Sequence, residues 1–204
     1  MRSKMFLIAV GLVSILGLLS GCAKAPQETI DAAKVAVEAA KAAEADRYLA
    51  EQFNAAQDSL NAAMAEIEAQ NSKFALTRNY DRATALLASA VAAANAAKDG
   101  VTAKKEEVKA AAQALMVQAQ TAVEETKNLL AKAPKGKEGK EVLEQMQAEL
   151  SGAETAIADA TSAMDSGDFL GAHDKVKAAL DKANALNQEL ADAISKKSML
   201  SKKM

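Results

Sequence analysis

The sequence predicts an all-α fold: long Ala-rich antiparallel helices forming tandem helical hairpins in an elongated body. Three observations carry this. Alanine supplies 50 of the 204 residues, and with Glu, Lys, Leu, Gln and Met, the strongest helix formers, it makes up most of the chain. Apolar residues recur at spacings of three and four, the period of one helix face. Val, Ile and Thr are scattered and never alternate as they would along a half-buried strand. An Ala-rich stripe is thin, because a methyl removes far less area from water than a leucine does at about 25 cal/mol per Å². It does let helix axes approach closely and gain dispersion contacts. The expected body is slender, with little room for an enclosed active site.

The chain opens with Arg2 and Lys4, then about fifteen uncharged residues, Met5–Leu19, "MFLIAVGLVSILGLL". That is short of the roughly twenty apolar residues a spanning helix needs, and residues 1–21 fit a cleaved secretory signal peptide. Residues 22–27 read as a short tether, in which Pro26 discourages helix before it.

A helical region over 28–131 follows. Its first helix runs from about Glu28 to Ala45, with Ile30, Ala33, Val37, Ala40 and Ala43 near one face. "EADRY" (44–48) breaks it, with Asp46 as the candidate N-cap of the next helix. That second helix covers about Leu49–Asn71, on a stripe of Phe53, Ala56, Leu60, Ala63, Met64 and Ile67. Turn formers occupy "QNSKFALTRN" (70–79). A third helix starts near Tyr80, with Ala83, Leu86, Leu87, Ala90, Val91 and Ala94 on its face. Asp99-Gly100 could end it, with Gly past the last turn; strong helix formers resume at once, so continuity into a fourth stretch, 101–131, is expected. The loop 132–140, "KAPKGKEGK", is the clearest break. A second hairpin covers 141–197: a helix to Met164, a tight turn "DSGD" (165–168) with Asp168 as N-cap, and a final helix to about Lys196. The tail, 198–204, is expected to fray.

The two hairpins repeat. Phe53, Leu60, Ala63 and Ile67, then Tyr80, Ala83, Leu87, Ala90 and Ala94, match Leu143, Leu150, Ala153 and Ile157, then Phe169, Ala172, Val176, Ala179 and Ala183. The offset is 90 before the turn and 89 after it. An aromatic opens the second helix of each hairpin, and a small residue three positions on allows a close crossing. Tandem hairpins of this kind bury each unit's face on a neighbour, as in repeat proteins.

Four resemblances follow from the residues. Leu19-Ser20-Gly21-Cys22, closing an apolar segment on the only cysteine, resembles the lipobox of bacterial lipoproteins. That implies cleavage before Cys22, a diacylglyceryl thioether on its sulfur and an acylated amine. The residue after the cysteine is Ala23, where an aspartate usually retains such proteins at the inner membrane. The resemblance therefore implies the inner leaflet of a Gram-negative outer membrane, facing the periplasm. Ile30–Lys98, with "ADRYLAEQFNAAQDSLNAAMAEIEAQ" and "FALTRNYDRATALLASAVAAANAAK", resembles the domain of unknown function 4398 family, Ala-rich bacterial lipoproteins, though a proline often found near "YLAEQF" is missing. It implies envelope localisation and no known reaction. The pattern "GDF..A...V..AL..A" is similar to a tetratricopeptide helix, without that family's period and with longer helices. Lys202-Lys203-Met204 resembles the lysine end by which the major outer-membrane lipoprotein is linked to peptidoglycan, but departs from it in the methionine that follows.

Charge and chemistry narrow the function classes. Without residues 1–21 the chain carries 23 basic against 27 acidic residues, which disfavours nonspecific nucleic-acid binding. His173 is the only histidine, near Asp165, Asp168 and Asp174, without a ligand spacing. Glu106-Glu107 and Glu124-Glu125 are adjacent on helices, and adjacent residues do not face each other. No nucleophile elbow, phosphate loop or C-x-x-C occurs. Lys132, Lys135, Lys137 and Lys140 form the densest basic patch, able to touch anionic lipid or peptidoglycan. Met64, Met116, Met146 and Met164 fall at core-like positions as gap fillers. The expected protein is not an enzyme and holds no cofactor or metal. It is held to a membrane by acyl chains on Cys22 and acts as a helical scaffold or adaptor for an envelope protein or peptidoglycan. The alternative is a periplasmic carrier of an apolar ligand or lipid between separable helices.

Overall fold

The computed structural model describes residues 24–134 and 139–203. Cys22 and residues 1–21, where a signal segment is expected, lie outside the described residues, as do Lys135 and Lys137 of the basic loop. Among the described residues are six α-helices: α1 (Gln27–Ala42), α2 (Ala45–Tyr48), α3 (Ala50–Asn71), α4 (Asp81–Lys132), α5 (Lys140–Asp165) and α6 (Phe169–Lys203). One 3-10 turn, Ala75–Thr77, joins them, and no strand does. The all-α fold is as the composition dictates. None of these helices is long and apolar enough to cross a membrane.

The chain divides into two compact units, Met1–Thr102 and Ala103–Met204. The division falls inside α4, ahead of the 132–140 break. Each unit adds a third helical segment to the hairpin its sequence implies. In the first, Ile30 and Ala33 of α1 share a core with Ala63 and Ile67 of α3 and with Tyr80, Ala83, Leu87 and Ala90 at the start of α4. In the second, Ala119, Ala122 and Val123 of α4 share one with Met146, Leu150, Ala153 and Ile157 of α5 and Val176, Ala179, Ala183, Leu186 and Leu190 of α6.

The junction after α1 differs from expectation. The chain turns at Ala43-Glu44, with Glu44 left-handed at φ 67°, a conformation costing a non-glycine residue about 1 kcal/mol. Asp46 is not an N-cap: it lies in the first turn of α2, and no side chain caps the start of α3. The chain re-enters helix early because Ala45 and Tyr48 both become buried there.

Helix α4 passes through Gly100 without a break. A glycine inside a helix costs about 1 kcal/mol relative to alanine, and Leu49 explains its presence. A Cβ built on Gly100 would lie 2.8 Å from Leu49 Cδ1. The bare backbone therefore lets the α2–α3 junction seat on α4.

The second hairpin closes as expected. Gly167 is left-handed at φ 82°; its N–H bonds Met164 O, and the Asp168 N–H bonds Ala163 O at 2.9 Å. This is the paired closure of a Schellman end. Asp168 then caps α6, its Oδ1 accepting from the Gly171 N–H at 3.3 Å. α6 runs past Ser198 to Lys203, since no Gly or Pro stops it and Lys, Met and Leu are good helix formers.

Candidate functional site

Six of the nine pairs that the repeat defines are buried in both units. Ala63 and Ala153, Ile67 and Ile157, Ala83 and Ala172, Leu87 and Val176, Ala90 and Ala179, and Ala94 and Ala183 are all buried. It reaches further than the sequence pattern alone indicates. At the same offsets Ala56 pairs with Met146, Ala97 with Leu186 and Val101 with Leu190, and these too are buried. Three pairs are unequal. Leu60 is half-buried where Leu150 is fully buried, Phe53 is buried where Leu143 is half-buried, and Tyr80 is buried where Phe169 is half-buried. Phe169 instead carries the Lys109 ammonium 5.6 Å from its ring centroid, a cation–π contact at a wet edge.

The candidate residues do not converge on one site. His173 is half-buried, with Nδ1 3.2 Å from Asp174 Oδ1, while Asp168 is engaged as a cap. Among the described residues no group of three His, Cys, Asp or Glu side chains is placed to hold a metal. Glu107 pairs with Lys104 at 2.7 Å and Glu124 with Lys127 at 2.7 Å, one turn apart on α4. Of the basic loop, Lys132 is exposed and Lys140 pairs loosely with Glu144 at 3.6 Å. Met146 is buried, and Met116 and Met164 are half-buried. Met64 departs from its expected core position: it is 37% exposed, because α3 turns Ala63 and Ile67 inward and Met64 lies beside that stripe.

Two ionic contacts tie helices of the second unit together. Lys127 bridges Glu124 and, across to α5, Glu154 at 2.8 Å. Hydrogen bonds first to Glu124 and then to Glu154 hold its ammonium above the usual lysine range. Lys182 of α6 meets Glu149 of α5 at 2.6 Å, and this bond, with one from Gln145, lowers the Glu149 carboxyl. Beneath them Thr126 is fully buried, donating to Ala122 O at 2.8 Å, and Asn187 Nδ2 reaches the same carbonyl at 3.2 Å. These groups order helices; they present no nucleophile with a base.

The concave surface is shallow. An apolar groove of about 160 Å³ lies among Ala133, Val142, Leu143, Met146, Leu190 and Ala193. A more polar one, about 320 Å³, is lined by Val123, Glu124, Lys127, Glu154 and Ile157, and lies open to solvent.

The first unit's connection holds what spacing and motifs do not reveal. Residues 72–80 carry Phe74 and Leu76, 71% and 70% exposed, on a loop that is firmly built. Arg78 donates Nε to Lys73 O at 3.0 Å and Nη2 to Asn71 O at 2.8 Å. The Tyr80 hydroxyl donates to Asn71 Oδ1 at 2.5 Å. Gln70, itself buried, accepts the Asn79 N–H at 3.1 Å, and Asn79 Oδ1 caps α4 at the Asp81 N–H at 2.7 Å. The available signal was two large apolar residues inside a turn-forming segment, with no helical face to belong to.

No family profile matches the chain, and no curated protein or solved structure is similar to it.

Proposed function

We propose that the chain is a lipoprotein of the bacterial envelope. It is held by acyl chains on Cys22 at the periplasmic face of the outer membrane and works as a non-enzymatic helical scaffold or adaptor. The observation that carries this is "LLSGC" closing a fifteen-residue apolar segment behind Arg2 and Lys4. Thioether acylation needs a cysteine, and the chain has one, at that place. Two or three acyl chains make release from a membrane negligible, since each buried CH₂ contributes about 0.8 kcal/mol. The resemblance of Ile30–Lys98 to the domain of unknown function 4398 family points to the same compartment. Slender Ala-lined cores offer surface to a partner, an envelope protein or peptidoglycan, and little interior.

The carrier alternative has two features in its favour, the apolar groove beside Leu143 and Met146 and a groove of about 390 Å³ between Gly152, Ala153 and Ala156 of α5 and Ala178 and Ala179 of α6. The first, at about 160 Å³, is smaller than the roughly 300–1,000 Å³ of ordinary ligand pockets, and the second lies open to solvent, so the adaptor reading is preferred. Cells fed labelled palmitate test the anchor: the wild-type chain takes up label and Cys22→Ser does not. Equal labelling of both removes the lipoprotein reading. Crosslinking in cells then separates the functions, since a discrete protein or peptidoglycan adduct supports the adaptor and co-purified lipid on the anchor-free chain supports the carrier.

A further inference from the structure

The ends of the first unit are distinguishable. The cluster of Ile30, Ala33, Ala63, Ile67, Tyr80 and Ala83 unites the start of α1, the end of α3 and the start of α4. Ala25, which precedes α1, packs against that cluster. The opposite end is marked by Leu49 against Gly100. The chain leading back to Cys22 therefore leaves this unit at the end that carries the 72–80 connection. From Ala25 to Cys22 is three residues, at most about 11 Å of chain.

Phe74 and Leu76 stand out at that end. Most large apolar side chains described in the first unit are wholly or partly covered, and these two are the most exposed among them. Their loop does not owe this to looseness, because Arg78, Tyr80, Gln70 and Asn79 hold it through side-chain hydrogen bonds. A pre-ordered loop loses little freedom when its apolar side chains are buried against something.

We propose that this loop is a second membrane contact: Phe74 and Leu76 insert into the interfacial region of the lipid leaflet that holds the acylated Cys22. The proposal rests on the lipoprotein reading, which places a bilayer within reach of this end of the unit. Acyl chains alone fix the protein to the surface and leave its tilt free. An aromatic and a leucine entering the headgroup boundary, about 5–10 Å deep, fix which end faces the lipid. The charges nearby are balanced. Lys73, Arg78 and Arg82 stand against Glu66, Glu68 and Asp81, and Arg82 lies 3.7 Å from Glu66. The contact is accordingly apolar and insensitive to salt and to the anionic lipid fraction, unlike a polybasic anchor.

The chain has no tryptophan, so Phe74→Trp supplies a single fluorescent reporter at an exposed position where folding is not at stake. Val35→Trp is the control: Val35 is 64% exposed and about 15 Å along the chain axis from Ala25 at helical rise. Both full-length variants are produced with their anchor and reconstituted in vesicles of phosphatidylethanolamine and phosphatidylglycerol, with and without lipids brominated near the glycerol backbone. Flotation of the vesicles reports the anchor, and indole emission reports the depth of the substituted position. Both proteins are expected to float. The emission of Phe74→Trp should shift to the blue and be quenched by shallow bromine at an insertion depth of this order, while that of Val35→Trp is unaffected. Flotation of Phe74→Trp with water-like, unquenched emission overturns the insertion and leaves the anchor intact. Equal quenching of the two variants overturns it as well, because the unit then lies flat. Absence of flotation in the lipidated preparation defeats the anchor and the insertion together.

Discussion

From Ile67 to Tyr80 in the first unit and from Ile157 to Phe169 in the second, the chain performs the same task with nearly the same number of residues: it leaves one helix, reverses and enters the next. In the second unit α5 winds on to Asp165 and reverses within Ser166-Gly167-Asp168. In the first, α3 stops at Asn71, four residues earlier in the shared register, and nine residues make the reversal. The difference is a glycine. Gly167 takes the left-handed conformation that closes a helix onto its own carbonyls. No glycine occurs between Ile67 and Tyr80. Both helices end on a serine, Ser72 bonding Ala69 O at 2.8 Å and Ser166 bonding Ala163 O at 2.9 Å; beyond it the second unit closes through the Asp168 N–H onto Ala163 O, and the first through Arg78 onto Asn71 O and Lys73 O. Helix length here is set by what is available to satisfy the last carbonyls, and the apolar period alone does not determine it. The consequence is an exposed Phe and Leu in one unit and a compact polar turn in the other.

The sharpest way to break this comparison is at the paired aromatics. Tyr80 is buried and hydrogen-bonded, and Phe169 is half-buried. Tyr80→Ala should therefore destabilise by about 4 kcal/mol and Phe169→Ala by about half that. Denaturant unfolding of the two variants checks it, and equal losses would mean that the units are more alike than the structure shows. The leucines reverse the order. Leu150→Ala should cost about 3 kcal/mol and Leu60→Ala, at the half-buried counterpart, clearly less.

Smaller effects read the two closures separately. Gly167→Ala places a Cβ in a left-handed residue and should cost about 1 kcal/mol. Arg78→Ala removes two hydrogen bonds to carbonyls and should also cost about 1 kcal/mol, with faster amide exchange confined to 72–80. Thermal melts and exchange measure both; loss of protection in both connections from either variant would contradict their independence.

The smallest effect expected is ionic. The lowered Glu149 carboxyl contributes stability that is present above the ordinary carboxylate value and is lost as pH falls through its lowered folded value. Lys182→Met should therefore lower the melting temperature slightly at neutral pH, and the difference should vanish in acid. Lys127 works the other way. Its raised ammonium contributes below the ordinary lysine value and loses that contribution as pH rises through the higher folded one, so the deficit of Lys127→Met should be present at neutral pH and close in strong alkali. Lys127 is exposed and Glu149 partly so, so salt should shrink both effects.

Much of this was legible in the sequence, for reasons the structure makes concrete. Buried positions on α3, α5 and α6 follow the three-and-four spacing of Ala, Leu and Ile because those faces have no competing demand. Asp168 and Gly167 were readable as a turn because cap chemistry is local. Gly100 was ambiguous because its reason, Leu49, is distant in the chain. Asp46 misled because a capping side chain was available where the fold needed a buried Tyr48 instead. Met64 misled because an Ala-sized stripe is narrow and one position off it is already in solvent. The outward turn of Phe74 and Leu76 depends on Arg78 and Tyr80 reaching back to Asn71, which no spacing rule contains.

Backbone resonance assignment of residues 24–204 reads both ways of closing the one repeat in a single experiment. The account predicts helical carbon shifts through Asp165 followed by a positive-φ signature at Gly167. In the first unit it predicts helical shifts that end at Asn71, with non-helical values at Phe74 and Arg78 and slow exchange of the Asn79 and Asp81 amides. Helical shifts continuing from Asn71 through Ala75, or fast exchange at Asn79 and Asp81, would contradict it.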